Sequence, residues 1–190
     1  MEKQKYTAIV LAAGSGKRMN SKVHKQYLII QDRPVLYYSL KAFEDSAVDE
    51  IVLVVGKGEE EFCRKEIVDK YGISKVKAIV EGGKERYHSV FEGLKQTSDA
   101  DYVLIHDGAR PFVNQEIIRR CMLEVPEYQA CVVGMPVKDT IKIADEEGYA
   151  KQTPDRKNVW MIQTPQTFSY ALIYEAYEEM LKTEDTAITD

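Results

Sequence analysis

In "AIVLAAGSGKRM" (residues 8–19) an apolar run is followed at once by Gly14, Gly16, Lys17 and Arg18. A strand buried on both faces that ends in a glycine turn lets backbone N–H groups converge on an anion at a helix start. Arg18 adds a planar fork and Lys17 a point charge, both suited to phosphate. Two common phosphate loops do not fit. The G-x-x-x-x-G-K-[ST] loop fails because Leu11 stands five residues before Gly16 and Arg18 follows Lys17, and G-x-G-x-x-G fails at Met19. Taken locally, the stretch reads as a phosphate cradle or as a Gly-rich connection with solvated cations.

Further chemistry-bearing residues follow other apolar runs. Gly82, Gly83, Lys84 and Arg86 come after "VKAIV", and Asp107, Gly108 and Arg110 after "DYVLIH". Strand-like runs recur at "TAIVLAA", "EIVLVVG", "VKAIVEGG", "DYVLIHD" and "ACVVGMPV". Helix-like segments separate them. "RPVLYYSLKAFED" places Pro34 at a first helical position, "EEEFCRKEIVDKYG" ends at Gly72 as a C-cap, and "NQEIIRRCMLEV" opens on Asn114 as N-cap; "ERYHSVFEGLKQ" is the fourth. This alternation predicts an α/β fold, Rossmann-like, with a mainly parallel sheet and helices on both faces. Ligands of such sheets bind beyond the C-terminal strand ends, where these glycines, cations and the single carboxylate collect. His106, one residue before Asp107, is turned away from that edge by strand alternation and reads as structural.

The segment 138–165 breaks the pattern. "KDTIKIA" and "YAKQT" flank "DEEG" and read as an antiparallel hairpin turning near Gly148. It reads equally as an arm that pairs subunits or as a hairpin folded on its own domain. The 190 residues, 44% hydrophobic and 30% charged, suit one cored domain, 1–190. A net charge of −5 disfavours a nucleic-acid or membrane-surface binder. Cys63, Cys121 and Cys131 are odd in number and lack C-x-x-C spacing, so they read as small hydrophobes rather than a disulfide framework or zinc site. No apolar run approaches membrane-spanning length, and a cytoplasmic protein is expected.

Seven ordered motifs, "LAAGSGKRM", "HKQYL", "EGGKERYHSV", "HDGARPF", "KDTIK", "TPDRKNVW" and "QTPQTF", together resemble the 2-C-methyl-D-erythritol 4-phosphate cytidylyltransferases of the non-mevalonate isoprenoid pathway. The sister ribitol-5-phosphate cytidylyltransferases share the layout, but "LAAG" and "HDGARP" are more similar to the erythritol enzymes. The resemblance implies that CTP and methylerythritol phosphate give a CDP-alcohol and pyrophosphate. The attacking phosphate is already ionised, so such an enzyme positions two polyanions and stabilises developing charge instead of supplying a nucleophile.

By the same resemblance, Arg18, Lys25 and Arg156 are the catalytic cations. Ala12, Ala13, Gly14, Gly16, Lys17, Gly83, Arg86, Ser89 and Gly108 bind nucleotide, with Ser89 alternatively a helix cap. Thr140, Thr164, Arg110 and Arg156 hold the polyol phosphate, Arg156 arriving across a homodimer interface on the hairpin arm. Asp107 holds Mg²⁺; its bland alternative is a cap of the following loop or a pair with Arg110. Two departures stand out: Lys84 occupies a commonly acidic position, and His24 a position often filled by proline. The family continues past "DTAITD" through a helix and strand with a lysine in a K-x-T motif, so a chain ending at Asp190 is expected to be less stable and less active than a full-length one. Competing classes are a sugar-nucleotide pyrophosphorylase and a non-catalytic nucleotide-binding module.

Overall fold

A computed structural model describes residues 3–14 and 23–182. Gly16, Lys17 and Arg18 therefore lie outside the described residues, as does the "DTAITD" end.

The chain opens with β1 (Tyr6–Ala12), whose residues are almost all buried. Ala8, Val10 and Ala12 enter one apolar core while Ile9 enters the other, because successive strand side chains point to opposite faces. After a single turn of helix, Lys25–Tyr27, two short strands β2 (Ile29–Ile30) and β3 (Arg33–Pro34) lead into α1 (Val35–Glu44). Pro34 is the N-cap of α1 rather than its first helical residue. Then come β4 (Glu50–Val55), α2 (Glu60–Cys63) continuing with π-type bonding over Arg64–Asp69, β5 (Val76–Glu81), α3 (Arg86–Leu94), β6 (Tyr102–Asp107) and α4 (Gln115–Tyr128). The Asn114 side chain accepts from the Ile117 N–H and caps α4. The chain closes with β7 (Ala130–Pro136), β8 (Ile143–Ala144), β9 (Ala150–Gln152), β10 (Trp160–Ser169) and α5 (Tyr170–Lys182).

The main sheet has the order β5-β4-β1-β6-β10-β7. The first four strands pair in parallel, with Val10 between Leu53 and His106. One face packs on α1, α2 and α4, the other on α3 and α5. The last two strands differ from the sequence expectation. "ACVVGMPV" has no parallel neighbour, because β10 lies between it and β6, antiparallel to both. β10 was hidden in the sequence by "QTPQTF", whose proline and polar residues obscure strand periodicity.

The hairpin β8–β9 turns at Gly148, where φ is +88° and a side chain would be strained. Every residue from 138 to 153 is exposed, so the hairpin stands out from the sheet on the prolonged β7 and β10.

Inside α4, Pro126 removes the N–H that would bond Met122 O. The Tyr6 hydroxyl donates to that carbonyl at 3.2 Å and ties the helix to β1.

Candidate functional site

The C-terminal ends of β1, β5 and β6 meet at one edge of the sheet. A Cβ placed on Gly82 would come within 2.5 Å of the Ala13 Cβ and 2.6 Å of Ser89 Oγ, so only glycine lets the loops after β1 and β5 touch. The Gly83 N–H donates to Ser89 Oγ at 3.1 Å, and the Ser89 hydroxyl in turn reaches Glu85 O at 3.3 Å. Capping of α3 belongs to Glu85 and His88, which bond each other's backbone N–H reciprocally. Ser89 is thus free of the N-cap role and fixes the Gly83 loop.

Lys25 is exposed on a turn that is tied down on both sides. Buried Gln26 donates to Ala12 O at 2.6 Å and Gly14 O at 3.2 Å, holding the end of β1 where the glycine loop begins. Tyr27 donates to Glu59 Oε2 at 2.7 Å, and Glu59 also accepts from the Gly56 N–H at 3.1 Å. Burial, then hydrogen bonds to Cys63 and Glu59, push the Tyr27 hydroxyl above its ordinary range, so it stays a neutral donor. His24 has φ −62°, a value proline also takes, and its Nδ1 lies 3.0 Å from Glu59 Oε1. A side-chain tie here occupies the backbone conformation that a proline ring would impose.

Asp107 ends β6 between two arginines. Arg86 Nε donates to Oδ1 at 3.1 Å and Arg110 Nε to Oδ2 at 2.9 Å. Burial pushes the Asp107 carboxyl up, but the Arg86 charge and the hydrogen bonds from both arginines outweigh it and hold the group below its ordinary range. The arginines are fixed in turn: Arg86 Nη2 donates to Gln166 Oε1 at 3.0 Å, and Arg110 Nη1 to Gln163 Oε1. Gly108 is pressed against β1, donating to Leu11 O at 2.7 Å.

His106 is fully buried and lies edge-on to Phe43 with ring centroids 5.3 Å apart. Burial drives its imidazole down to about 4, so the ring is neutral. Its Nε2 is 3.1 Å from Arg110 O, which can only accept, and its Nδ1 is 2.9 Å from Thr164 Oγ1. A neutral ring then donates from Nε2 and accepts the Thr164 proton at Nδ1. Thr164 Oγ1 accepts from the Asp107 N–H at 3.3 Å. The chain of bonds from Arg110 O through His106 and Thr164 therefore orients the Asp107 backbone.

Ala12, Ala13, Gly14, Lys25, Gly83, Arg86, Ser89, Asp107, Gly108 and Arg110 all lie at or beside these strand ends. Arg156 and Thr140 lie instead on the exposed arm, where Arg156 Nη1 donates to Lys138 O at 2.8 Å. Lys84 is exposed beside Gly83. Sequence reasoning missed Gln26, Glu59, Gln163 and Gln166, although three of them stand inside the motifs "HKQYL" and "QTPQTF". Their signal was a glutamine embedded among apolar or turn residues, where its amide must find partners.

A divalent cation fits Asp107 chemically. The carboxylate is a hard oxygen donor, each oxygen accepts one guanidinium N–H and keeps a further lone pair. Among the described residues no group of three or more His, Cys, Asp or Glu side chains is gathered for a metal. One carboxylate suits an ion whose remaining ligands are phosphate oxygens and water.

Comparison with known proteins gives a consistent result. The family model for 2-C-methyl-D-erythritol 4-phosphate cytidylyltransferase, IspD, matches residues 6–190. A protein of that name from Lachnoclostridium phytofermentans is 52% identical over 187 residues, covering 98% of this chain and 80% of the relative. Another, from Lachnospira eligens, is 56% identical over 175 residues, covering 92% and 77%. The crystal structure of 4-diphosphocytidyl-2C-methyl-D-erythritol synthase from Anaerococcus prevotii superposes with a TM-score of 0.85 at 36% identity, covering 98% of this chain and 79% of that one.

Proposed function

The chain belongs to the 2-C-methyl-D-erythritol 4-phosphate cytidylyltransferase family, and on that premise we propose how its residues carry the reaction. It is a nucleotidyltransferase that moves a cytidylyl group from CTP to 2-C-methyl-D-erythritol 4-phosphate in isoprenoid biosynthesis. An oxygen of the acceptor phosphate attacks the α-phosphorus of CTP in line. A new P–O bond forms as the bond to pyrophosphate breaks, and negative charge gathers on the non-bridging oxygens.

Lys25, together with Arg18 in the segment outside the described residues, neutralises the α-phosphate, with Lys17 on the outer phosphates. Ala12, Ala13, Gly14, Gly16 and Gly108 present backbone to the triphosphate, and Gly83, Arg86 and Ser89 read the base and ribose. The geometry behind this assignment is the clamp of Gln26 on Ala12 O and Gly14 O, which holds strand end and Lys25 turn as one unit. Mg²⁺ on Asp107, when bound, would screen the triphosphate charge and help align the leaving pyrophosphate. Arg110, Thr140, Thr164 and Arg156 serve the acceptor side, Thr164 by orienting Asp107.

Residues 1–190 form one nucleotidyltransferase domain with 138–165 as a dimerisation arm in a homodimer. Ile141, Ile143, Tyr149, Trp160, Met161 and Ile162 are exposed along this arm, an apolar surface of the kind that pairs with another. The arm delivers Arg156 to the partner's active site. Among the described residues no helix is long and apolar enough to cross a membrane, and we place the enzyme in the cytoplasm.

The observation that carries this reading is the carboxylate of Asp107 fixed between Arg86 and Arg110 at the shared strand edge. Pyrophosphate release from CTP with Mg²⁺ tests it, with methylerythritol phosphate and ribitol 5-phosphate as parallel acceptors. Activity with the first alone is expected; preference for ribitol phosphate moves the substrate assignment to the sister family, and CTP binding without release leaves a nucleotide-binding module. Arg156→Ala is expected to lose most turnover while still binding CTP, measured by calorimetry beside the assay; unchanged turnover rejects the arm's catalytic role.

A further inference from the structure

Away from the strand-end site, a cavity of about 390 Å³ opens between α4, β7 and the start of β10. Cys121 and Cys131 both line it, with Arg120, Glu124 and Trp160 around them. Gln129, in the left-handed conformation, reverses the chain after α4 and brings β7 back along the helix. The Cys131 thiol consequently donates to Cys121 O at 3.6 Å, so the two cysteines meet where they border the same cavity. Thr167, paired with Cys131 across β10 and β7, is fully buried, and its hydroxyl has no hydrogen-bond partner among the described residues.

The thiols are chemically unequal. The neighbouring Cys131 side chain, helped by the Arg120 charge and opposed by burial, holds the Cys121 thiol below its ordinary value; the same proximity, together with burial, holds Cys131 above it. Cys63 is different again. Burial raises its thiol to about 11, and its sulfur is engaged with the Tyr27 hydroxyl at 3.1 Å. A thiolate forms most readily at Cys121, beside a cavity that admits a small reagent.

We propose that Cys121 and Cys131 form a redox couple that closes into an intrachain disulfide when a low-molecular-weight disulfide enters this cavity. The Cys121 thiolate attacks one sulfur of the reagent, forms a mixed disulfide and releases one reagent thiolate. Cys131 then loses its proton to solvent and attacks the Cys121 sulfur, releasing the second thiolate. The two cysteines lose two electrons, and the reagent disulfide is reduced to two thiols. This inference is independent of the roles assigned at the nucleotide site.

Oxidised glutathione is the probe. Treated protein is expected to lose two hydrogens by intact mass, and its peptide map to join the Cys121 and Cys131 peptides. Cys131→Ser is expected to trap a stable glutathione adduct on Cys121, Cys121→Ser to form no intrachain bond, and Cys63→Ser to behave as the unsubstituted protein. A second readout needs no substitution: a trivalent arsenical such as phenylarsine oxide should bind the folded protein in a one-to-one adduct that a dithiol reverses. Glutathione adducts that persist on the unsubstituted protein, a bond involving Cys63, or no arsenical adduct would each overturn the proposal.

Discussion

The two halves of the sheet are built for different ends. From β5 to β6 the strands run parallel and the three inner ones are buried almost throughout, whereas β7, β8, β9 and the first residues of β10 are largely exposed. Apolar burial on both faces gives the parallel half its rigidity, and its strand ends can therefore present Asp107, Gly83 and Gly108 in fixed geometry. In the antiparallel half, backbone pairing and a few exposed side-chain bonds, such as the Tyr149 N–H to Asp145 Oδ1 at 2.7 Å and Lys142 Nζ to Thr153 Oγ1 at 2.6 Å, shape the hairpin, and its apolar side chains are left facing outward. A catalytic edge needs a closed core behind it; the arm proposed to reach another subunit needs the reverse.

The sharpest test of that contrast is Phe43→Ala. This fully buried ring packs against His106 beneath the site, and its truncation is expected to cost about 3–5 kcal/mol in urea unfolding. A loss under about 1 kcal/mol would mean that the parallel half is not where stability resides. Next in size is Asp107→Asn. Turnover is expected to fall about 100- to 1000-fold, equivalent to about 3–4 kcal/mol of transition-state stabilisation, with the fold retained by circular dichroism; activity within threefold of the parent would remove the carboxylate from the chemistry.

A pH series refines the same half. His106 is neutral in the fold and has its proton affinity depressed from 6.5 to about 4, so between these values the unfolded chain binds the extra proton. Stability is therefore complete above about pH 6.5 and declines as pH falls toward 4, by roughly 3 kcal/mol from this residue. His106→Gln should flatten the melting profile across that window, and an equally steep profile would assign the acid sensitivity to another group. At the small end stands Ile143→Ser on the arm. Its side chain is exposed, so a change in subunit unfolding within about 0.5 kcal/mol is expected, while sedimentation should show weaker self-association. A large loss of subunit stability would make the arm part of the core after all.

The same division decides what the sequence disclosed. The parallel strands were legible because double-sided burial writes continuous apolar runs such as "AIVL" and "IVLVV", and the chemistry followed from the residues just beyond them. Asn114 as cap and Gly148 as turn were legible for local reasons, an Asx side chain before a helix and a glycine at positive φ. β10 was not, since its partners β6 and β7 are distant in sequence and its own residues alternate poorly. Nor were the partners of Asp107. The sequence offered Arg110 three residues away, but Arg86, Gln163 and Gln166 arrive from other loops and strands, and local pattern holds no record of such meetings. The Gln26 clamp was hidden for the same reason.

The proline within α4 also bears on how this sequence is free to drift. Pro126 leaves Met122 O without its helical donor, and the Tyr6 hydroxyl supplies one from β1, distant in sequence but adjacent in space. Replacing Tyr6 with Phe alone strands that carbonyl; replacing Pro126 with Ala first restores the helical N–H and makes the hydroxyl dispensable. The order in which the two changes occur thus determines whether either is tolerated, and positions 6 and 126, 120 residues apart, carry a shared history that neither would show by itself.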